Sequence, residues 1–407
     1  MTNRPDFLKK LFSVSILKGL GMALSFALTV IFAEYFGVES MGRFYKNLSI
    51  ILGLRLILLM GSNHLVVKFS NEKHYLNSLR YIIGRSLVIY FFLVLLGGIL
   101  LIFEYGVFGN PPASNFVLVV CSILFAFPLL LSEFLKAAEM PKASVFFEGL
   151  GLPVFYLLFS YLFYQFGTKN TDWIIPVSGL IVSFFGLFQL SRSLRRYNYN
   201  KDTRVHWKKI EAPAIFLAMM AFSSYLYNGF DIVVISEVLN DEIAGNYVLH
   251  KKVAQLIMFL TVVNLSVVAP ELVQLISSKG DVFKYVINNI LTISIISSLF
   301  GIVLYFAGSY YIDYLPVFEI NYTALALFFL IQIFNASTSI VGPALIYKGA
   351  EKQVSLSFLF TSLISCVLFI VLTKGFGLFG GVIGLLLGII FQKGILIILL
   401  YRNFKKE

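Results

Sequence analysis

The 407-residue sequence predicts an all-α integral membrane protein with about twelve transmembrane helices in two six-helix bundles. Three observations predict it. The chain is 58% hydrophobic and 13% charged with a mean hydropathy of +0.86, far more apolar than a soluble core requires. Apolar runs long enough to cross the hydrocarbon, about 20 residues per helix, recur from end to end with short polar breaks. A short acidic turn also returns about half a chain later.

The first span, near 11–33, follows a positively charged start as a secretory signal would. Its apolar part is too long for a signal and carries Lys18, so it reads as a helix retained in the protein. The second, near 45–66, follows "EYFGVESMGRFY" (Glu34 to Tyr45) and holds Arg55 about midway along it. Spans three to six are expected near 80–103, 115–136, 145–166 and 173–191. "SRSLRRYNYNKDTRVHWKKIE", residues 191–211, is the longest polar stretch and reads as a cytoplasmic linker at the midpoint. Spans seven and eight, near 213–236 and 246–269, flank "EVLNDEIAGNYV" (Glu237 to Val248). The last four are expected near 284–307, 321–345, 354–373 and 378–401. The domains that follow are an N-terminal bundle at 1–200, closed by that linker, and a C-terminal bundle at 212–407.

The net charge of +11 does not point to nucleic acid, because the basic residues alternate between loops of a membrane chain and form no basic domain. One side receives Arg4, Lys9 and Lys10, then Lys68, Lys73, Arg80 and Arg85, then the linker cluster from Arg192 to Lys209. Counted over every loop, roughly 23 Lys and Arg lie on that side against about 3 on the other, which places both termini in the cytoplasm. Cys121 and Cys366 lie within apolar runs, so neither a disulfide framework nor a thiol metal site is suggested.

The two acidic turns align at an offset of about 203 residues, matching Glu34 with Glu237, Glu39 with Glu242, Gly42 with Gly245 and Phe44 with Tyr247. A second pair of turns, "KAAEMPKAS" from Lys136 and "KGAEKQVS" from Lys348, falls between the fourth and fifth spans of each half. The halves therefore read as duplicates. Because six spans is an even number, they are expected to be related by a pseudo-twofold axis along the membrane normal, with the pathway between them. The glycines suit a tight turn or a close helix approach.

Charges within spans mark a functional site, since a charge near the bilayer centre costs roughly 2.5–3.5 kcal/mol on insertion scales. Arg55 is the strongest candidate, followed by Lys18 in span one, Lys251 and Lys252 in span eight, and Lys393 in span twelve, which is near enough to the surface to snorkel. Together they suggest a cationic central cavity that binds diphosphate and acidic sugars by charge-assisted hydrogen bonds. Asp231 in span seven suits pairing with Lys251 or Lys252, or else binding of a coupling ion; pairing is the simpler reading. Glu133 and Glu148 lie near the inner ends of spans four and five. His64 and His250 read as interfacial hydrogen-bonding groups. Pro128, Pro153, Pro176, Pro270 and Pro343 permit helix bends.

An apolar first span ending in "FAEYFGVESMGRFY", a seventh with "GFDIVVISEVLNDEIAGNYV", and the "KAAE" and "KGAE" turns resemble the multidrug, oligosaccharidyl-lipid and polysaccharide (MOP) exporter superfamily. Within it the chain is most similar to Wzx-type flippases. The resemblance implies a MATE-like fold and cationic residues on spans one, two, seven and eight. It also implies a cargo of undecaprenyl-diphosphate-linked oligosaccharide, carried to the outer leaflet of the bacterial inner membrane for O-antigen or capsule assembly. A polysaccharide polymerase and a chain-length regulator are the partners it suggests, beside membrane lipids. Drug or cation export on the same fold is the alternative, but it calls for acids facing the cargo where here basic residues dominate. A membrane polymerase or glycosyltransferase needs a large catalytic outer loop, and every positive-poor loop is short. No glycine-rich phosphate loop, metal spacing or nucleophile elbow is present in the sequence, so the expectation is a transporter rather than an enzyme, without cofactor or metal.

Overall fold

The computed structural model describes residues 4–61, 75–108, 113–138, 140–168, 171–194, 207–278, 280–313, 318 and 321–404. Nearly all of them are helical, and none is in a strand. The central linker lies largely outside the described residues, as does His64. Each of the twelve expected spans overlaps a helix. They are α1 (Arg4–Phe36), α2 (Val38–Leu59), α3 (Tyr75–Phe108), α4 (Ala113–Ala137), α5 (Pro141–Val145), α6 (Gly151–Gln165), α7 (Ile174–Leu194), α8 (Trp207–Asn228), α9 (Phe230–Val238), α10 (Asp241–Gln255), α11 (Met258–Ser277), α12 (Val282–Asp313), α13 (Tyr322–Ser337), α14 (Val341–Tyr347) and α15 (Glu351–Phe404). Among the described residues, eight helical stretches are long and apolar enough to cross a membrane, and a ninth joins α8 to α9 across a 40° bend.

The breaks have local causes. Gly377, at φ +62°, interrupts α15 between the eleventh and twelfth expected spans, in a conformation that glycine adopts without steric cost. Phe146–Leu150 forms a π-helical turn between α5 and α6. It lies just before Pro153, whose ring would clash with the carbonyl one turn back in a regular α-helix, and the widened turn accommodates it. Within the second expected span α2 ends at Leu59, Met60 and Gly61 have positive φ, and Arg85 Nη2 donates to the Leu59 carbonyl at 2.9 Å; residues 62–66 of that span lie outside the described residues.

Packing divides the chain into two units, one of residues 1–46 with 226–407 and one of 47–225. These groupings do not follow the order of the sequence. In the first unit α1 packs on α10 and α11, with Gly19 against the Phe259 ring, so the first span sits among spans of the second half. In the second, α2 runs against α8, where Gly53 meets Tyr225 and Gly61 meets the backbone at Ala214. A core of Leu58, Leu59, Ile82, Leu131 and Phe134 fills that unit. Leu299, Val303 and Phe306 on α12 are exposed at helical spacing, the pattern of a face turned to lipid.

Both acidic turns belong to the first unit, and they meet. A Cβ on Gly42 would lie 1.7 Å from the Asp241 carbonyl oxygen, and one on Gly245 would lie 2.3 Å from that of Val38. The glycines thus serve close approach rather than a turn conformation. Around the crossing Arg43 bridges Glu39 and Asp241 at 3.1 and 3.3 Å, and Lys46 pairs with Glu237. Phe44 and Tyr247, matched in the alignment, are both buried.

Candidate functional site

The break at Gly229, between α8 and α9, brings the Asn228 carbonyl beside the first turn of α9, which carries Asp231. Lys251, on α10, donates to both: to the Asn228 carbonyl at 3.0 Å and to the Asp231 carboxylate. Tyr247, one turn earlier on α10, donates its hydroxyl to the same carboxylate oxygen. The pair is sealed, with side-chain exposures of 5% for Lys251 and 1% for Asp231. A buried ammonium in low dielectric needs such a counter-ion and a further acceptor, and both are supplied.

Lys252, the next residue, points elsewhere, because adjacent side chains on a helix diverge by about 100°. Its Nζ donates to Ser25 Oγ on α1 at 3.0 Å and lies 5.5 Å from the centre of the Tyr45 ring. Tyr45 is held in turn: its hydroxyl is 2.7 Å from Thr29 Oγ1 and donates to the Ser25 carbonyl at 3.4 Å, while Thr29 Oγ1 donates to that carbonyl at 3.0 Å. Among the described residues no acid pairs with Lys252, which is half-buried. Lys18 lies two turns before Ser25 on α1, about 10 Å along the axis and on the same face, and is also half-buried.

In the second unit, Arg55 lies one turn from the end of α2, nearer a helix terminus than its position in the apolar run suggested. Its Nε is buried and has no hydrogen-bond partner among the described residues, and the guanidinium is within electrostatic range of Tyr156 and Glu148. The sequence around Arg55 offers no acid; the π-helical turn brings Glu148 into its field. Glu148 and Glu133 both pair with Lys136 at 3.0 Å, and Lys136 and Glu148 are each 32% exposed.

The structure therefore brings Asp231 together with Lys251 and leaves Lys252 as the neighbouring cation without an acid. Lys393 is half-buried on α15 beside buried Gln392. His250 is buried and uses both ring nitrogens, Nδ1 donating to the Asn246 carbonyl and Nε2 accepting from the Asn321 amide at the start of α13. That fixes the tautomer and gives the ring a capping role inside the fold rather than at the interface. Sequence reasoning missed Ser25, Thr29, Tyr45 and Lys136. The first two carried a signal: Lys18, Ser25 and Thr29 recur at helical spacing on one face of an otherwise apolar span. Among the described residues, no group of three or more His, Cys, Asp or Glu is placed to hold a metal ion.

No family model matches the chain, and no curated protein does. Solved structures do. One is a MATE family transporter of the MOP superfamily in an inward-facing conformation, with 11% identity, 95% of each chain covered and a TM-score of 0.69. The MATE multidrug transporter DinF-BH, solved as a complex, gives 15% identity over 98% of this chain and 96% of its own, with a TM-score of 0.69. A MOP superfamily transporter from Pyrococcus furiosus, for which reversed polarity of the binding pocket is held to suggest a different function, gives 11% identity, coverage of 97% and 95%, and a TM-score of 0.60. The chain has the fold of these transporters over almost its whole length.

Proposed function

We propose that the protein is a flippase that carries undecaprenyl-diphosphate-linked oligosaccharide from the cytoplasmic to the outer leaflet of a bacterial inner membrane, by alternating access. One observation carries the reading: Lys252 is a half-buried cation of a membrane span whose close partners are a hydroxyl and an aromatic ring instead of a carboxylate. An ammonium so held keeps its charge for a ligand, and a diphosphate answers it with several acceptor oxygens. Arg55, Lys18 and Lys393 add cations at other points of the spans, and Arg55 offers the planar fork that suits two phosphate oxygens at once. For one MOP superfamily transporter of this fold, reversed polarity of the binding pocket is held to suggest a different function, which supports reading the sign of the charge here as a guide to cargo. Here the excess is positive, which favours an anionic headgroup, with the polyprenyl tail left in lipid. A polysaccharide polymerase and a chain-length regulator then act on the product.

Deletion of the gene tests this. Completed lipid-linked units should accumulate on the cytoplasmic leaflet and surface polysaccharide should be lost, as read by mass spectrometry of the polyprenyl lipids with a leaflet-specific sugar label. Normal export of those units, together with new sensitivity to lipophilic cationic drugs, would favour drug export instead. Normal outer-leaflet units with failed polymerisation would favour an enzyme.

A further inference from the structure

Lys251 and Lys252 are consecutive residues of one helix, yet one meets a carboxylate and the other a hydroxyl. We infer that Ser25 is a specificity-determining position: a neutral hydroxyl there, in place of an acid, keeps Lys252 available as the cation that takes an anionic headgroup. The inference rests on the anionic-cargo reading and assigns its selectivity to one side chain of α1. Lys251 serves as the internal control. Its charge is consumed by Asp231, with Tyr247 and the Asn228 carbonyl completing the shell, so it has little left to offer a ligand.

The frame around Ser25 is built to hold it in place. Its carbonyl accepts from Thr29 Oγ1 and from the Tyr45 hydroxyl, and Thr29 and Tyr45, both buried, also contact each other at 2.7 Å. This fixes the backbone at Ser25, and with it the side chain that accepts from Lys252. Tyr45 presents the face of its ring to the same ammonium. A ring and a hydroxyl both favour the protonated lysine without cancelling its charge, whereas a carboxylate at the same 3.0 Å would do so. One substitution is therefore expected to convert an anion-accepting lysine into a second closed pair like that of Lys251.

The test is binding of inorganic pyrophosphate and, separately, of undecaprenyl diphosphate to the full-length protein in detergent, by titration calorimetry. Ser25→Asp should weaken both by about tenfold or more, the loss of a contact to a charged group, and match Lys252→Met. Ser25→Ala should lose only a few-fold, because it removes one hydrogen bond and leaves the charge free. Lys252→Arg should retain most of the binding, and Lys251→Met paired with Asp231→Asn should bind as the wild type does. Should Ser25→Asp fail to fold, Ser25→Cys alkylated with iodoacetate or with iodoacetamide compares a carboxylate and a neutral amide at the same site. The carboxylate adduct should bind at least tenfold more weakly, with wild-type protein treated in parallel to account for Cys121 and Cys366. Pyrophosphate affinity unchanged by Ser25→Asp, or absent from the wild type, would overturn the inference. Pyrophosphate binding that follows Ser25 and Lys252 while the lipid diphosphate fails to bind would leave the inference standing and remove the flippase reading.

Discussion

The Asp231–Lys251 pair in the first unit and the Glu133–Lys136–Glu148 triad in the second use the same chemistry and differ in burial. The first is closed off at 1% and 5% exposure; in the second, Lys136 and Glu148 are each 32% exposed. Desolvation makes a sealed ion pair costly to form and costlier to break, while solvent screens a half-open one and replaces a lost partner. The sealed pair is therefore a structural fastening for the bend at Gly229, whereas in the triad Glu133 is buried at 7% exposure and only the half-open Lys136–Glu148 contact can rearrange at little expense. Neither is a sink for an anionic ligand. Lys252, a cation with no acid beside it among the described residues, lies one residue beyond the sealed pair.

Substitutions can break this contrast, beginning with the largest effect. Asp231→Asn should cost about 3–5 kcal/mol, since it strands a buried ammonium, and adding Lys251→Met should recover much of the loss; steric trapping in bicelles would read both. If Asp231→Asn were as mild as a surface change, the pair would not be sealed. Where the two acidic turns cross, the contrast lies between backbone and side chain. Gly42→Ala places a methyl group within 1.7 Å of the Asp241 carbonyl oxygen and should destabilise by about 1–3 kcal/mol in the same assay. Glu148→Gln should cost about 1 kcal/mol or less, because Lys136 keeps Glu133 and is solvated. Arg43→Ala, at an arginine 51% exposed despite its two ion pairs, should fall within about 0.5 kcal/mol of wild type. A cost for Arg43→Ala exceeding that for Gly42→Ala would mean that charge rather than contact holds the crossing.

Much of this was legible in the sequence because the bilayer leaves so little choice. A span must be helical to satisfy its own backbone, so apolar length alone located the helices, down to the break at Gly377. The sequence singled out Gly42 and Gly245, and both prove to sit at close backbone approaches. Their mutual contact was not legible, since a repeat gives spacing and says nothing about which copies touch. The end of α2 escaped notice because the residue that caps Leu59, Arg85, lies 26 positions away. The same limit applies to the charges. Asp231, Lys251 and Lys252 were all visible as charges inside spans, but which lysine takes the acid depends on which face of α10 turns to α9 and which to α1. That is a tertiary fact, and it decides which of the two lysines meets a carboxylate.

The central claim is that Lys252, held by a hydroxyl and a ring rather than by an acid, selects an anionic cargo. Reconstituted proteoliposomes offered a fluorescent polyprenyl-diphosphate sugar and a lipophilic cationic dye in parallel test it most directly. The account predicts that the wild type moves the diphosphate lipid in preference to the dye and that Lys252→Met loses this activity while inserting normally. Transport of the dye in preference to the lipid, undiminished in Lys252→Met, would contradict it.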